Sequence, residues 1–524
     1  MLAPFVEELD RLAPSFKIHG SRIRIIQTPT DFYETLKDKI RHAERRIFLS
    51  TLYIGKSEKD LIATLQDALR AKPDLKLSIL TDALRGTRES PDACSASLLA
   101  PLVSEFGPER VEIRMYHTPN LTGMRKKHIP RRINEGWGLQ HMKLYGFDDE
   151  IILSGANLST DYFTNRQDRY HMFSSSDITS YFWGLQKAVC SLSFLVRPSS
   201  ESASGFELDW PTSNEAPSPL ENPKQFVADS TRLLRDLISA RPQSRIGGSS
   251  GVPNNGLADM TQAQRQVMPP SHGAGEAPDT SVYVLAQMSQ LLRPDTSTEQ
   301  AALTHVLSTL ASSPAGLATG SSWTFTAGYF NPAPSLTRLL LSTVPAGSRG
   351  TVITASPYAN GFYRSRGVSG MLPDAYSLLA RRFLDAVERQ RRGVVEKGGS
   401  SDGDEVPTVT LKEWRRGTSG EPGGWTYHAK GLWVTLGGDG ATGPSLAVIG
   451  SSNYTKRSYS LDLEANALVV TTNEGLRRRL AEEQAWLQEH AAPVGLDDFA
   501  KTERRVGLKV RIAMWIVKMV GGQL

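Results

Sequence analysis

The sequence predicts an α/β protein of two tandem lobes, each a mixed sheet flanked by helices, related by pseudo-twofold symmetry and sharing one active site. Three observations carry the prediction. Short runs rich in β-branched residues alternate with helical periodicity through both halves of the chain. Matched residues recur in the same order: Trp137 and Trp425, His141 and His428, Lys143 and Lys430, Asn157 and Asn453, Asp168 and Glu464. The carboxylate follows the asparagine by 11 residues in both copies.

The first half opens with an amphipathic helix over 5–16 and a strand over 21–27. A helix over 30–43 follows, with Thr30 and Asp31 as cap candidates. Strands at 45–55, 75–88 and 110–118 alternate with helical segments. HMKLYGF then alternates as a strand, placing His141, Lys143 and Tyr145 on one face, and Ile151-Ile152-Leu153 is its antiparallel partner across a DDE turn. The apolar run 181–196 reads as a closing helix.

Residues 197–223, rich in Ser, Pro and Glu, read as a linker, 224–241 as an amphipathic helix, and 242–280 as a long loop. The pattern then restarts: a helix at 297–313, strands at 322–332, 350–367 and 408–417 with helices between them, and the second motif from Trp425. The expected organisation is a first lobe (1–200), a connecting region (201–290), a second lobe (291–495) and an amphipathic tail (496–524).

A chain of 524 residues is long enough for several domains. A net charge of +5 favours acidic partners such as phosphates or anionic lipid over acidic proteins. Cys94 and Cys190 imply no disulfide framework and suit a reducing compartment. Neither C-x-x-C nor H-E-x-x-H argues for a metal. No run of 18 apolar residues predicts a membrane span, and the N-terminus reads as neither a signal nor a transit peptide.

The paired H-x-K triplets suit phosphoryl chemistry. A neutral imidazole attacks phosphorus well. A neighbouring ammonium and a carboxamide hold the phosphoryl oxygens as charge develops, which assigns Lys143, Lys430, Asn157 and Asn453. Asp148, five residues after Lys143, has Thr435 at its matching position, with Asp439 four residues later, and reads as a turn or strand-capping residue. Arg85, Arg88, Arg364 and Arg366 end strands where ligands sit in open α/β sheets, and arginine captures phosphate bidentately. Lys456 and Arg457 follow GSSN and lie nearer the chemistry. MRKKHIPRRIN (124–134) holds five Lys or Arg plus His128 and suits phosphate-bearing ligands or anionic lipid headgroups. In the C-terminal run 503–524, Val506, Val510, Ala513, Ile516, Val517 and Val520 mark an apolar side among basic residues. The run reads as a helix lying in the plane of an anionic membrane surface.

Two H-x-K motifs, the first with Asp148 and SGAN, the second with GSSN and no spaced aspartate, resemble the phospholipase D superfamily over about 20–200 and 290–495. The run GANLSTDYFTNRQDRY is similar to the eukaryotic mitochondrial phosphatidylglycerophosphate synthases within it. That resemblance implies phosphatidyl transfer from CDP-diacylglycerol to glycerol 3-phosphate with release of CMP, toward phosphatidylglycerol and cardiolipin. It implies a peripheral enzyme on the matrix side of the mitochondrial inner membrane. Two histidines imply two steps: His141 attacks, His428 acts as general acid and then base, and the order is reversible. Asp168 and Glu464 orient the histidines. Fixed cations replace a divalent ion, so no cofactor, no metal and no nucleic acid are expected. Phosphatidylserine synthase, cardiolipin synthase, a phosphodiesterase or nuclease, and a non-catalytic lipid-binding scaffold are the alternatives.

Overall fold

The computed structural model describes residues 2–131, 133–239, 277–312, 320–344, 347–396, 409–437 and 442–519. Two nine-stranded mixed sheets organise it. The first runs, edge to edge, Phe206–Asp209, Phe194–Pro198, Val111–Tyr116, Lys76–Asp82, Arg46–Ser50, Leu144–Phe147, Glu150–Ser154, Tyr170–Ser174 and Ile23–Ile26. The second runs Ala491–Pro493, Val409–Trp414, Arg349–Ala355, Ser322–Ala327, Lys430–Thr435, Leu446–Gly450, Glu464–Thr471, Thr280–Gln287 and Ser15–Ile18.

Set aside one edge strand from each, Phe206–Asp209 and Ser15–Ile18, and the remaining eight correspond in order and sense. In both, three neighbouring strands are parallel and every other pairing is antiparallel. This is the duplication expected from the repeated motifs.

Two segments differ from the sequence reading. Residues 3–18, read with the first lobe, lie on the second sheet. Ser15–Ile18 adds to the exposed edge of Thr280–Gln287, and the helix Ala3–Leu12 buries Phe5 and Leu9 among Leu303, Val306 and Leu310. Within the stretch read as a linker, Phe206–Asp209 forms a hairpin with Phe194–Pro198, pairing Val196 with Leu208. Its two apolar residues, Phe206 and Leu208, are masked by the Ser- and Pro-rich sequence around them. The helix read at 181–196 accordingly spans Ser176–Cys190 and stops before that hairpin. Residues 240–276 of the predicted long loop lie outside the described residues.

Helices 29–42, 59–71 and 95–106 cover the outer face of the first sheet, burying Phe32, Leu65 and Leu99. Thr28, not Thr30, caps the first of these, accepting from Asp31 N at 3.0 Å, with Pro29 in the first turn. The inner faces of both sheets share one core. Phe48, Leu144, Leu153 and Phe173 of the first lobe join Val284, Ala447, Ile449 and Val469 of the second, with helices 176–190 and 474–488. Each buried Leu, Phe or Val contributes about 1.5–3 kcal/mol, so this shared core holds the two lobes together.

The helix Leu508–Met519 packs against the long helix 372–396. Val510 faces inward, and among the described side chains of this helix the exposed large apolar ones are Leu508, Ile512 and Trp515. The side chains of Ile516 and Val517 and residue Val520, which the predicted apolar side includes, lie outside the described residues. Arg504 forms an ion pair with Glu413 instead of facing outward.

Candidate active site

The histidine of each H-x-K stands outside its own sheet and meets the other lobe. The first-lobe strand begins at Leu144, so His141 and Lys143 precede it and do not sit on its face as predicted. His141 N donates to Leu463 O at 2.9 Å, and Leu463 N donates to Leu139 O at 2.8 Å. In the second copy, Thr426–Tyr427 pairs in parallel with Arg166–Gln167, and His428 N donates to Gln167 O at 2.8 Å. The residue bonded to each histidine amide is the one before the opposite lobe's carboxylate.

That backbone register crosses the side chains. His141 Nδ1 lies 2.9 and 3.0 Å from the two carboxylate oxygens of Glu464. His428 Nδ1 lies 2.7 Å from Asp168 Oδ2. Lys143 Nζ donates to His141 O at 2.7 Å, and Lys430 Nζ to His428 O at 3.0 Å. Lys430 Nζ also lies 3.1 Å from His428 Nε2 and 3.9 Å from Asp168 Oδ2. Gly155 permits this approach: a Cβ there would stand 2.7 Å from Asp168 Oδ1 and 3.0 Å from Lys430 Nζ.

The electrostatics follow from burial of a dense charge cluster. Burial, and then the neighbouring lysines, hold both imidazoles well below the usual histidine range, so both are neutral at pH 7. Burial pushes Lys143 down to about 7 and Lys430 to about 8, against the pull of Glu464 and Asp168. Burial raises Asp168 to about 6 and Glu464 to about 7, with the lysines opposing.

The histidines are not equivalent. His428 stands edge-on to the rings of Tyr162 and Tyr329, and Tyr162 OH lies 3.3 Å from His428 Nε2. Asn157 Nδ2 donates to that tyrosine at 3.2 Å. Among the described residues, no side chain hydrogen-bonds His141 Nε2. Asn453 Oδ1 is buried without a protein partner.

Asp148, read as completing the first motif, does not join the site. It occupies the turn at the far end of Leu144–Phe147, with φ +48°. Its carboxylate accepts from the amides of Glu44, Arg45 and Arg46 at 2.8, 2.9 and 3.0 Å. It caps the entry to the strand Arg46–Ser50.

The predicted phosphate-binding residues divide. Arg457 pairs with Asp462 at 3.0 Å and donates to Glu135 O at 2.9 Å, while Glu135 pairs with Arg88, tying both arginines across the seam. Arg85 stacks 4.0 Å over Tyr53 and lines a first-lobe cleft of about 510 Å³ with Lys56, Ser57 and Thr160. Arg364 pairs with Glu421 at 3.0 Å, and Arg366 and Lys456 are exposed.

Arg166, Arg169 and Tyr162 are the residues the sequence reading missed. Arg166 pairs with Asp161 at 2.7 Å and stacks 4.5 Å over Tyr162 beside His428. Counting from the asparagines, Asp161 and Arg166 match Arg457 and Asp462, the same pair with its charges exchanged. Arg169 reaches into the second lobe, donating to Lys430 O at 2.9 Å. No group of three or more His, Cys, Asp or Glu among the described residues is arranged to hold a metal ion.

No family model matches the chain. A solved phosphatidylserine synthase of Haemophilus influenzae matches with a TM-score of 0.67 at 17% identity, covering 99% of this chain and 97% of that one, and shows a shared fold. The CDP-diacylglycerol–glycerol-3-phosphate 3-phosphatidyltransferase of Saccharomyces cerevisiae is 42% identical over 513 residues, 97% of this chain and 89% of its own length. That of Saccharomyces pastorianus is 42% identical over 505 residues, 95% of this chain and 88% of its own length. The human protein of the same name, designated mitochondrial, is 33% identical over 520 residues, 97% of this chain and 84% of its own length. Identity at that level along nearly the whole chain, on a fold shared with a phosphatidylserine synthase, makes this chain a member of the CDP-diacylglycerol–glycerol-3-phosphate 3-phosphatidyltransferase family.

Proposed function

We propose that the chain transfers the phosphatidyl group of CDP-diacylglycerol to glycerol 3-phosphate, releasing CMP. The observation that carries this reading is the pair of crossed histidine–carboxylate contacts, each beside a buried lysine, in a member of that family.

In the first step, His141 donates its Nδ1 proton to Glu464 in a hydrogen bond and presents the Nε2 lone pair. Nε2 attacks the phosphorus bearing the diacylglycerol, and the bond from that phosphorus to the oxygen of CMP breaks. CMP leaves as a phosphate monoester, whose second pKa is about 6, so departure needs no acid. Lys143, Lys430 and the two asparagines hold the nonbridging oxygens.

In the second step, His428 Nε2 takes the proton of a glycerol 3-phosphate hydroxyl while Asp168 stabilises the imidazolium that forms. The alkoxide oxygen attacks phosphorus, the phosphorus–Nε2 bond to His141 breaks, and His428 returns its proton to solvent. The neutral state favoured by burial suits His428 to the role of base, not that of acid for CMP departure.

Arg85 and Arg166 supply fixed cations for the spectator phosphates. The enzyme works as a peripheral protein on the matrix face of the mitochondrial inner membrane, with 503–524 on the lipid. Relatives from human, chicken and mouse are designated mitochondrial, and no helix among the described residues is long and apolar enough to cross a membrane.

The test is product analysis with the purified chain and CDP-diacylglycerol. CMP release that requires glycerol 3-phosphate, and not serine or water, supports the reading. Acceptor-free incubation with label in the phosphatidyl phosphate places label on His141. Label on His428 reverses the two roles, and serine-dependent CMP release overturns the acceptor assignment.

A further inference from the structure

Large apolar side chains are exposed on only two segments among the described residues. Met124 and Ile133 lie on the connection after the strand Val111–Tyr116, and Leu508, Ile512 and Trp515 on the tail helix, each between 48% and 71% exposed. Leu508, Ile512 and Trp515 stand at i, i+4 and i+7 and so share one helix face. Around Met124 and Ile133 stand exposed Arg125, Lys126, Lys127, His128 and Arg131, and beside the tail residues stand exposed Lys509 and Arg511. Apolar tips ringed by cations match a bilayer with anionic headgroups.

The two segments are placed equivalently by the pseudo-twofold. Val111–Tyr116 and Val409–Trp414 are corresponding strands of the two sheets. The 117–137 connection leaves the carboxyl end of the first, near Asp82, whose carboxylate accepts from Gln140 N at 2.9 Å, one residue before His141. The tail is tied to the carboxyl end of the second by the Arg504–Glu413 pair. Glu135, at the end of the first connection, accepts from Arg457 of the second lobe through its carbonyl. The long helix 372–396, against which the tail packs, carries Tyr376, which stacks on Tyr329 beside His428. Each segment is thereby tied to the lobe seam at which the two histidines meet.

We propose that residues 123–131, 133 and 134 form a second membrane-docking element, which with the tail seats the mouth of the cleft on an anionic lipid bilayer. The tail alone would leave the enzyme free to pivot on one contact. Two contacts on opposite lobes fix the cleft toward the headgroup layer, and the second event is intramolecular. A CDP-diacylglycerol molecule then presents its pyrophosphate to the histidines while its acyl chains stay in lipid. The proposal rests on the phosphatidyl-transfer reading for its purpose but not for its measurement.

The test is flotation of the full chain with vesicles of phosphatidylcholine, with and without about one third phosphatidylglycerol, alongside CMP release in detergent micelles. Met124→Ser/Ile133→Ser is expected to weaken partition onto anionic vesicles by about tenfold or more, and Arg125→Glu/Lys127→Glu to weaken it similarly. The Met124→Ser/Ile133→Ser pair is not expected to change glycerol 3-phosphate-dependent CMP release in micelles by more than about twofold. Unchanged flotation of both double variants overturns the proposal. So does a change in solution mass with flotation intact, which would make the patch a protein contact. Loss of flotation in a chain that releases no CMP in micelles leaves the docking element standing and overturns the assigned reaction.

Discussion

His141 Nδ1 meets Glu464 Oε1 at 2.9 Å across 323 positions of the chain. The mirror contact, His428 to Asp168 at 2.7 Å, crosses 260. Neither lobe contains a complete histidine–carboxylate pair. The crossing is imposed by the backbone, because each histidine amide bonds the carbonyl immediately before the other lobe's carboxylate.

Crossed pairs separate the two half-reactions. Glu464→Gln leaves the shape intact but allows the amide to favour the wrong tautomer of His141. The first step should fall by about 10²–10⁴, with little change in KM. Asp168→Asn disables the base instead, so rapid quench should find about one equivalent of CMP released, followed by a stall. Equal loss of the CMP burst in both variants would contradict the assigned roles.

The pH profile should be a narrow bell. Protons enter the histidine–carboxylate pairs as pH falls through the region of Glu464, about 7, and Asp168, about 6. Lysine charge is lost as pH rises through about 7 for Lys143 and about 8 for Lys430. For the free enzyme, kcat/KM should therefore peak near neutrality and fall on both sides. Bound pyrophosphate stabilises the ammonium groups, so the alkaline limb of kcat should lie above that of kcat/KM. A flat kcat/KM from about pH 6 to 9 would be incompatible with these buried charges.

Asp148 should matter to stability and not to chemistry. Asp148→Asn removes a charge that three amides share, at a cost of about 1–3 kcal/mol. Urea unfolding should show that loss, while kcat per folded molecule stays within about twofold. A loss of kcat by orders of magnitude in the well-folded variant would return Asp148 to the active site.

Periodicity finds strands such as Arg46–Ser50 and Glu150–Ser154, because sheets buried on both faces demand continuous apolar runs such as Ile151-Ile152-Leu153, but it passes over Tyr170–Ser174, Thr280–Gln287 and Glu464–Thr471. The repeat aligns the histidines, lysines, asparagines and carboxylates of the two halves, because their spacing is fixed by one strand and one turn. What stayed hidden depends on partners far away in sequence. Nothing local says that Ser15–Ile18 joins the second sheet, where it completes the edge of Thr280–Gln287. The charge exchange between Asp161–Arg166 and Arg457–Asp462 was legible in the alignment of the two halves, yet residue identity there is inverted, so a search for like residues passes over it.

Arg169 gives the last prediction, because it ties the position of Lys430 to the stability of the interface. Its guanidinium donates to Glu483 at 2.8 and 2.9 Å and to the carbonyls of Lys430 and Val448 at 2.9 and 2.7 Å, and it stacks 3.8 Å over Trp433. Gly431, at φ +150°, leaves room for it, since a Cβ there would lie 1.7 Å from its Nη1. Burial pushes the Glu483 carboxyl up, but Arg169 and His171 outweigh burial and hold it well below the usual carboxylate range. Removing one partner strands a buried charge, so Arg169→Met or Glu483→Gln should cost about 3–5 kcal/mol at pH 7. The sign of the pH dependence follows from the depressed carboxyl. Its stabilisation is complete above the unfolded glutamate value, about 4.3, and is lost as pH falls from there toward the folded value. Urea unfolding at pH 7 and near pH 3.5 should therefore show the gap between wild type and Glu483→Gln narrowing in acid. A gap that holds constant or widens there would mean that Glu483 carries no charge in the folded protein.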